Sequence, residues 1–415
     1  MDANGPQPTH PHPRSHPHPE VNALMRRIGG QWAGPDLQGA FQTEVAKLLG
    51  RRNLSFPGAQ PVSFSAEHIQ ELKRQDYYVC EKTDGLRYLL YLTQDGNKDI
   101  HYFIDRKNDY WYVPNLHFPH HEDKTFRRFH ADTILDGELV EDKYPDQEPV
   151  VKFLVFDCLV LDHVVLMQRP LDKRLAYFYM HVLQPYNAMF KQHPEYTRPF
   201  VLEDKHNEFS YALEKMFKEI IPKVKKTHGN DGLIFTCRDA PYRMGTDPHI
   251  LKWKPPSENT VDFLLHIEWA KMEPDPEDPD QSPQPDFYSF PEKFSLFIHV
   301  GSNEYSYVED MYVEPQEWEE WKTLNHPLQD IIIECHQDEQ QRWRFHRFRH
   351  DKENANHIKV FKSVIRSIQS HITEQDLLNH APEIRTAWKA RAEEAKRRQE
   401  EEKRKRPAAA ARPEG

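Results

Sequence analysis

Residues 77–93 read YYVCEKTDGLRYLLYLT: two apolar, aromatic-rich runs joined by Lys82-Thr83-Asp84-Gly85. Runs of this composition bounded by turn residues are strands, so Lys82 is expected at the edge between a strand and a turn. The same signature repeats outward in IHYFID (100–105), WYVP (111–114), TILDGELV (133–140) and KFLVFDCLVL (152–161), with Asp95-Gly96-Asn97 as a hairpin turn. Residues 21–49 read as helical, and residues 172–226 carry mostly helical patterns centred on LAYFYMHVLQPY and FSYALEKMFKEIIPKVKK. Strands return at GLIFT and LKWK. The fold class predicted for residues 21–258 is α+β, antiparallel sheets with flanking helices.

KPPSENT breaks the chain near residues 255–260, and FSLFIHV, YSYVED, DIIIECH and RWRFHRF then read as strands of a small β domain over 259–375. An acidic, proline-rich insertion at 273–289 cannot build a core. A helix is expected from Val360 to about His371. Residues 376–415 are rich in Lys, Arg and Glu and predict a solvated helix or frayed tail. Residues 1–20 form a Pro/His leader whose proline spacing forbids helix; its His10, His12, His16 and His18 could chelate a metal, although such tails are ordinarily just solvated.

Composition bounds the function. A length of 415 residues allows two domains. With 55 basic and 66 acidic residues the net charge is −11, which excludes a protein held on nucleic acid by bulk positive charge but not one with a local basic groove. No run of about 18 apolar residues is present to span a membrane, and no apolar N-terminal segment suggests secretion. Cys80, Cys158, Cys237 and Cys335 stand far apart without CxxC, which disfavours a disulfide framework or a cysteine zinc site and suits a reducing compartment.

The chemistry-bearing residues come as an ordered set. A lysine is protonated near its ordinary value of about 10.4 and becomes nucleophilic when partly desolvated beside other cations. Lys82 in KTDGLR is the candidate, with Arg87 five residues on and Gly85 permitting close approach of a phosphate or base. Asp105-Arg106 ends one strand. Asp136-Gly137-Glu138 sets two carboxylates around a glycine. FLVFD offers Phe153 and Phe156 as aromatic faces. Asp231-Gly232 opens an apolar strand, and Lys252 and Lys254 alternate, so both project from one strand face. Lysines and arginine neutralise phosphate, carboxylates hold Mg²⁺ through oxygen, and an aromatic face stacks a base. Neither GxxxxGK nor GxGxxG occurs. Taken singly, each element has an ordinary reading: a surface lysine, a turn, a core phenylalanine, a solvated strand face.

As an ordered set, KTDGLR, IDR, LDGEL, FLVFD, DGLIF and LKWK resemble the motifs of the covalent nucleotidyltransferases, and specifically the GTP:RNA guanylyltransferases of mRNA capping of the fungal alpha-subunit type. TDPHILKWKPPSENTVDF and RFRHDKENAN favour capping over ligation. The resemblance covers roughly residues 60–370 and implies a nucleotidyltransferase domain followed by an OB-fold lid. It implies that Lys82 attacks the α-phosphorus of GTP to give a lysine–GMP adduct, and that the GMP passes to a 5′-diphosphate RNA end. Arg87 would contact phosphate, Arg106 and Glu138 the ribose, Phe156 (or Phe153) the guanine, and Lys252 and Lys254 the α-phosphate. Asp231 would act with Mg²⁺ or Mn²⁺. Arg349, Asp351 and Lys352 would close over the outer phosphates, with Arg347 less firmly placed, and Asp262 would support that end.

The family also implies a nuclear location, a separate RNA 5′-triphosphatase subunit, and docking on the phosphorylated C-terminal repeat of RNA polymerase II. No His-Cys-x5-Arg phosphatase loop is present on this chain. Lys403-Arg404-Lys405-Arg406 fits a basic import signal, an RNA contact or a solubilising tail. The competing readings are an ATP-dependent polynucleotide ligase and a non-catalytic polymerase-binding scaffold.

Overall fold

A computed structural model describes residues 22–405 apart from 97, 273–283, 303, 325–326, 339 and 371, and apart from the side chains of 257, 403 and 405. The Pro/His leader, most of the acidic insertion, Asn97 of the hairpin turn, His371 and the end of the basic tail lie outside the described residues.

The two strands of the opening stretch do not pair with each other. Tyr77–Thr83 belongs to a five-stranded sheet, between Glu208–Phe209 and Asn230–Cys237, which is followed by Gly245–Trp253 and Ala59–Ser63. Leu86–Asp95 belongs to an eight-stranded sheet, between Lys98–Ile104 and Thr133–Asp142, with Val150–Leu161 next. Asp84-Gly85 is the crossing between the sheets. A Cβ on Gly85 would lie 2.7 Å from Val140 Cγ1 and 2.9 Å from the Leu139 carbonyl oxygen, so this glycine admits a neighbouring strand rather than the expected phosphate or base. Asp95 pairs with Lys98 around Gly96, whose φ is 59°.

Successive side chains point to opposite faces of a strand, and the larger sheet buries both, with Leu89, Tyr91, Ile104 and Leu159 in a core on the face opposite Leu90 and Leu92. Leu90, Leu92, Phe103, Leu139, Phe153 and Val155 fill one core beneath the larger sheet. Tyr77, Val79, Phe235, Leu251 and Trp253 fill another beneath the smaller one. The expected N-terminal helix is divided into Ala23–Arg27 and Pro35–Leu48, because Gly29 and Gly34, at φ 74° and 76°, stop and redirect the chain.

The second domain orders its five strands as Glu304–Asp310, Lys293–Gly301, Thr260–Glu268, Ile331–Gln337 and Trp343–Phe348. Helix Pro315–Lys322 joins the third strand in sequence to the fourth, and the Tyr312 amide donates to the Trp343 carbonyl at 2.9 Å, drawing the outer strands together. This is the five-stranded, partly open barrel of an OB-fold.

The C-terminal region corrects the expectation of a solvated tail. Helix Ile358–Ser370 packs Phe361, Val364, Ile365 and Ile368 on the barrel core, while the Ser367 hydroxyl donates to the Phe64 carbonyl at 2.7 Å. Helix Glu374–Lys405 then returns to the first domain, burying Leu377 and Ile384 in its core. Trp388 packs 4.8 Å from the Phe209 ring, and Arg391 donates to Asp76 at 2.7 Å. Three apolar anchors in the first half of a charged helix suffice to dock it. Among the described residues no helix is long and apolar enough to cross a membrane.

Candidate active site

Strand register assembles the cationic cluster. Cys80, Ile234 and Lys252 lie opposite one another on neighbouring strands, so Lys82 and Lys254, each two residues further along the same face, also come together. Between them the register slips: Asn230 pairs with Thr83 and Leu233 with Glu81, so Asp231 and Gly232 together oppose Lys82. Such a bulge re-aims a side chain. Gly232 sits at φ 142°, and a Cβ there would lie 2.1 Å from the Trp253 carbonyl oxygen, so only glycine fits. The bulge turns Asp231 onto the lysines. Lys82 Nζ donates to Asp231 Oδ1 at 2.5 Å, and Lys254 Nζ reaches Oδ2 at 2.8 Å. Burial opposes the charge on Asp231, but Lys82 and Lys254 outweigh it and hold the carboxyl below its usual range. Lys252 takes the opposite effect. Burial, then the charges of Lys254, Lys82 and Arg106, pull its ammonium down to about 8.

The facing sheet supplies the remaining groups. Glu138 lies directly across from Arg87, and Asp136 projects from the same strand face. Arg87, expected to contact phosphate or stabilise developing charge, is engaged within the protein. It makes a bidentate pair with Asp136 (Nε–Oδ1 3.0 Å, Nη2–Oδ2 2.6 Å), and its other nitrogen donates to the Ala59 carbonyl. The Tyr242 hydroxyl adds a 2.6 Å bond to Asp136. A fully buried carboxylate has to be paired, and the planar guanidinium does so. Arg106 sits in the turn two residues beyond the Lys98–Ile104 strand and is exposed.

The two phenylalanines are separated by a second bulge. Asp136 pairs with Asp157 and Gly137 with Val155, which leaves Phe156 as the extra residue. Phe153 is fully buried, edge-on to Phe103 at 5.0 Å. Phe156 is half-buried with the Arg87 guanidinium 5.4 Å above its ring, so it is the aromatic face available on the cleft side.

Beneath the cleft lies a polar network that sequence reasoning missed. Buried Lys205 bonds Thr83 Oγ1, lies 3.2 Å from Glu138 Oε2 and 3.5 Å from Glu81 Oε1. Its only sequence signal is a lysine directly after the VLED strand. Burial disfavours the charge on Glu81, yet Lys205 and His228 bring its carboxyl down to about 2. His228 Nδ1 lies 2.6 Å from Asp142, and the imidazole rises to about 9: burial disfavours its charge, but Asp142 and Glu81 outweigh it. Asn230 Nδ2 donates to the Lys82 carbonyl at 3.0 Å, fixing the backbone of the candidate nucleophile.

On the OB domain, Arg349 is enclosed by carboxylates. Its Nη1 donates to Asp262 at 2.7 Å and Glu334 at 3.3 Å, while Nε and Nη2 form a bidentate 2.9 Å pair with Asp351. Asp262, expected to support the phosphate end, holds Arg349 and the Asn356 side chain, the latter at 3.1 Å. Lys352 is exposed beside them, and Arg347 is tied to Glu334 at 2.6 Å. A cavity of about 460 Å³ opens against Arg349, Lys352, Tyr305 and Leu264. Among the described residues no hydrogen bond or ion pair joins this group to the Lys82 group.

Asp231 supplies the oxygen donors that a hard divalent cation needs. Its oxygens keep lone pairs beyond those the lysines use, and Mg²⁺ is ordinarily held by one or two carboxylates with phosphate oxygens and water completing its shell. The residues therefore fit the Mg²⁺ or Mn²⁺ anticipated from the sequence.

A lysine on a strand edge between two sheets, an oriented carboxylate, a strand-borne lysine pair and a following OB domain define a covalent nucleotidyltransferase. The chain matches the family described as mRNA capping enzyme, catalytic domain, over residues 26–256, and mRNA capping enzyme, C-terminal domain, over residues 258–378. It is similar to the mRNA-capping enzyme subunit alpha of Neurospora crassa, at 45% identity over 87% of this chain and 93% of the relative. The Schizosaccharomyces pombe subunit is 44% identical over 88% and 89%, and the Saccharomyces cerevisiae subunit 35% identical over 84% and 83%. Among solved structures, the ATP-dependent DNA ligase from bacteriophage T7 aligns with a TM-score of 0.31 and 14% identity, over 71% of this chain and 98% of that one. The chain belongs to the mRNA capping enzyme family, and with it to the guanylyltransferase class of nucleotidyltransferases. That membership sets aside the ligase alternative.

Proposed function

We propose that Lys82 attacks the α-phosphorus of GTP, forming an N–P bond as the α–β bridging P–O bond breaks and pyrophosphate leaves. In the second step the terminal phosphate oxygen of a 5′-diphosphate RNA attacks the same phosphorus, the N–P bond breaks, and the GpppN cap departs. The observation that carries this reading is the Lys82–Asp231–Lys254 arrangement, in which one carboxylate orients the nucleophile and a neighbouring cation together.

The residue roles follow from place and charge. Asp231 aims Lys82 and is the nearest acceptor for a proton of its ammonium group. Lys252 and Lys254 receive the α-phosphate, where positioned cations stabilise charge that develops in the transition state. Glu138, held by Lys205, and Arg106 take the ribose hydroxyls, and Phe156 stacks on guanine. Arg87 keeps Asp136 neutralised and the sheet edge rigid rather than touching phosphate. Bound at Asp231, Mg²⁺ or Mn²⁺ would supply positive charge to the phosphate oxygens. Arg349 and Lys352 close on the outer phosphates when the OB domain swings in, with Asp262 orienting Arg349 and exposed Asp351 giving way to the phosphate.

The partners are GTP, 5′-diphosphate RNA, a separate RNA 5′-triphosphatase subunit and the phosphorylated C-terminal repeat of RNA polymerase II, in the nucleus. The alpha-subunit designation of the relatives supports a multi-subunit enzyme. Incubation with α-labelled GTP or ATP followed by denaturing electrophoresis tests the reaction: label from GTP alone is expected. Label from ATP alone would restore ligation, and no label from either would leave only the scaffold reading.

A further inference from the structure

The connection from Val113 to Asp132, between the Tyr110–Tyr112 and Thr133–Asp142 strands, has neither helix nor strand beyond one isolated bridge, Pro119 to Phe129. Connections of this length inside a domain are ordinarily functional or pinned by something other than regular hydrogen bonding. Here His120 and His130, each just after one residue of that bridge and 4% and 1% exposed, both turn toward Asp162. Asp162 and the following His163 make the tight turn after the Val150–Leu161 strand at φ 45° and 66°, values that a side chain other than glycine adopts at a cost in strain.

Three potential ligand atoms converge, all within 4.8 Å of one another. His130 Nδ1 lies 2.9 Å from Asp162 Oδ2, and His120 Nε2 lies 3.3 Å from the same oxygen. His130 Nε2 faces the His181 carbonyl at 2.9 Å. A carbonyl only accepts, so Nε2 carries the hydrogen, and Nδ1 is the ring atom turned to the carboxylate. Two imidazole nitrogens and a carboxylate thus converge on one point, a donor set that zinc takes. A backbone carbonyl fixing the distal nitrogen is also the usual way a metal-bound histidine is oriented. Bonds of about 2.0–2.2 Å to zinc give a tetrahedral edge of roughly 3.4 Å, so the His120 edge already fits and the His130 edge opens slightly. His120 gives up only a long 3.3 Å bond from the Glu122 amide to its Nδ1 in changing tautomer. His121 lies alongside, its Nδ1 buried without a hydrogen-bond partner and its ring 4.4 Å from that of His120.

We infer that His120, His130 and Asp162 form a zinc site that pins this long connection to the end of the β-hairpin carrying Phe156 and the carboxylate pair. The site is structural and stands apart from any divalent ion at Asp231.

The full chain without an affinity tag, stripped with a chelator and then equilibrated with zinc chloride, is expected to retain a single zinc after gel filtration, measured by elemental mass spectrometry. Cobalt in its place should give the intense visible bands of tetrahedral coordination. Asp162→Asn and His120→Gln should each lose the bound metal; the second leaves the His130–Asp162 pair intact, so it reports on the metal even if the first folds poorly. Asparagine at His10, His12, His16 and His18 together should leave the metal in place. Zinc retained by His120→Gln, zinc lost with the leader histidines, or no zinc on the unaltered chain would overturn the site and leave His130–Asp162 a simple hydrogen-bonded pair.

Discussion

The Lys82 cluster and the Arg349 cluster solve opposite charge problems. At Lys82, two lysines pair with one carboxylate and a third, Lys252, lies within reach of their charges, so positive charge is in excess and Lys252 is pushed down to about 8 by burial and its neighbours. At Arg349, one guanidinium is surrounded by Asp262, Glu334 and Asp351. Its pKa is raised above the ordinary arginine range, first by the hydrogen bond to Asp351. The first cluster therefore calls for an anion, while the second already holds its anions and must exchange at least one to grip phosphate. Asp351, exposed on the rim, is the partner that can leave; buried Asp262 is the one that stays.

The largest expected difference between the clusters is at Asp231. Asp231→Asn removes the charge that aligns two lysines and should reduce lysine–GMP formation on the order of 10²–10³-fold, the scale of losing one positioned electrostatic group; rapid-quench kinetics measures it. A loss below tenfold would mean the bulge is only structural. Arg349→Ala should slow adduct formation on the order of 10²-fold, the scale of a lost charge-assisted phosphate contact, yet leave transfer from a preformed adduct nearly unchanged. Equal losses in both half-reactions would count against a lid confined to the first.

Smaller effects appear with pH. Lys252 is charged below about 8 and neutral above it, so KM for GTP in adduct formation should rise as pH passes through that value. Lys252→Arg stays charged and should flatten the profile; an unchanged profile would remove Lys252 from phosphate binding. For stability the sign is reversed, since the unfolded chain binds the proton more tightly and stability rises with pH above about 8. His228 runs the other way: its folded value of about 9 lies above the ordinary 6.5. Its stabilisation is fully present below 6.5 and lost as pH rises through about 9. The urea midpoint of His228→Gln should thus fall furthest below that of the unaltered chain at low pH and converge with it at high pH.

What the sequence made legible was whatever follows from local pattern. Alternation placed Lys252 and Lys254 on one face, and the turn at Asp84-Gly85 placed Lys82 at a strand edge. The sequence could not choose between Phe153 and Phe156, because the choice depends on a bulge at Phe156, and a one-residue slip moves a side chain to the other face. It also hid the Asp136–Arg87–Tyr242 triad and Lys205, whose partners lie in strands that meet only in the folded sheets. Charge density in the last helix masked the three apolar anchors, Leu377, Ile384 and Trp388, that dock it.

The central claim is that one amine on the edge of the smaller sheet becomes bonded to phosphorus. Peptide mass spectrometry after brief exposure to GTP and divalent cation locates that bond directly. The account predicts an acid-labile GMP on the peptide containing Lys82 and none on the peptide containing Lys252 and Lys254. GMP on either of those two lysines, or an adduct that survives in Lys82→Ala, would contradict it.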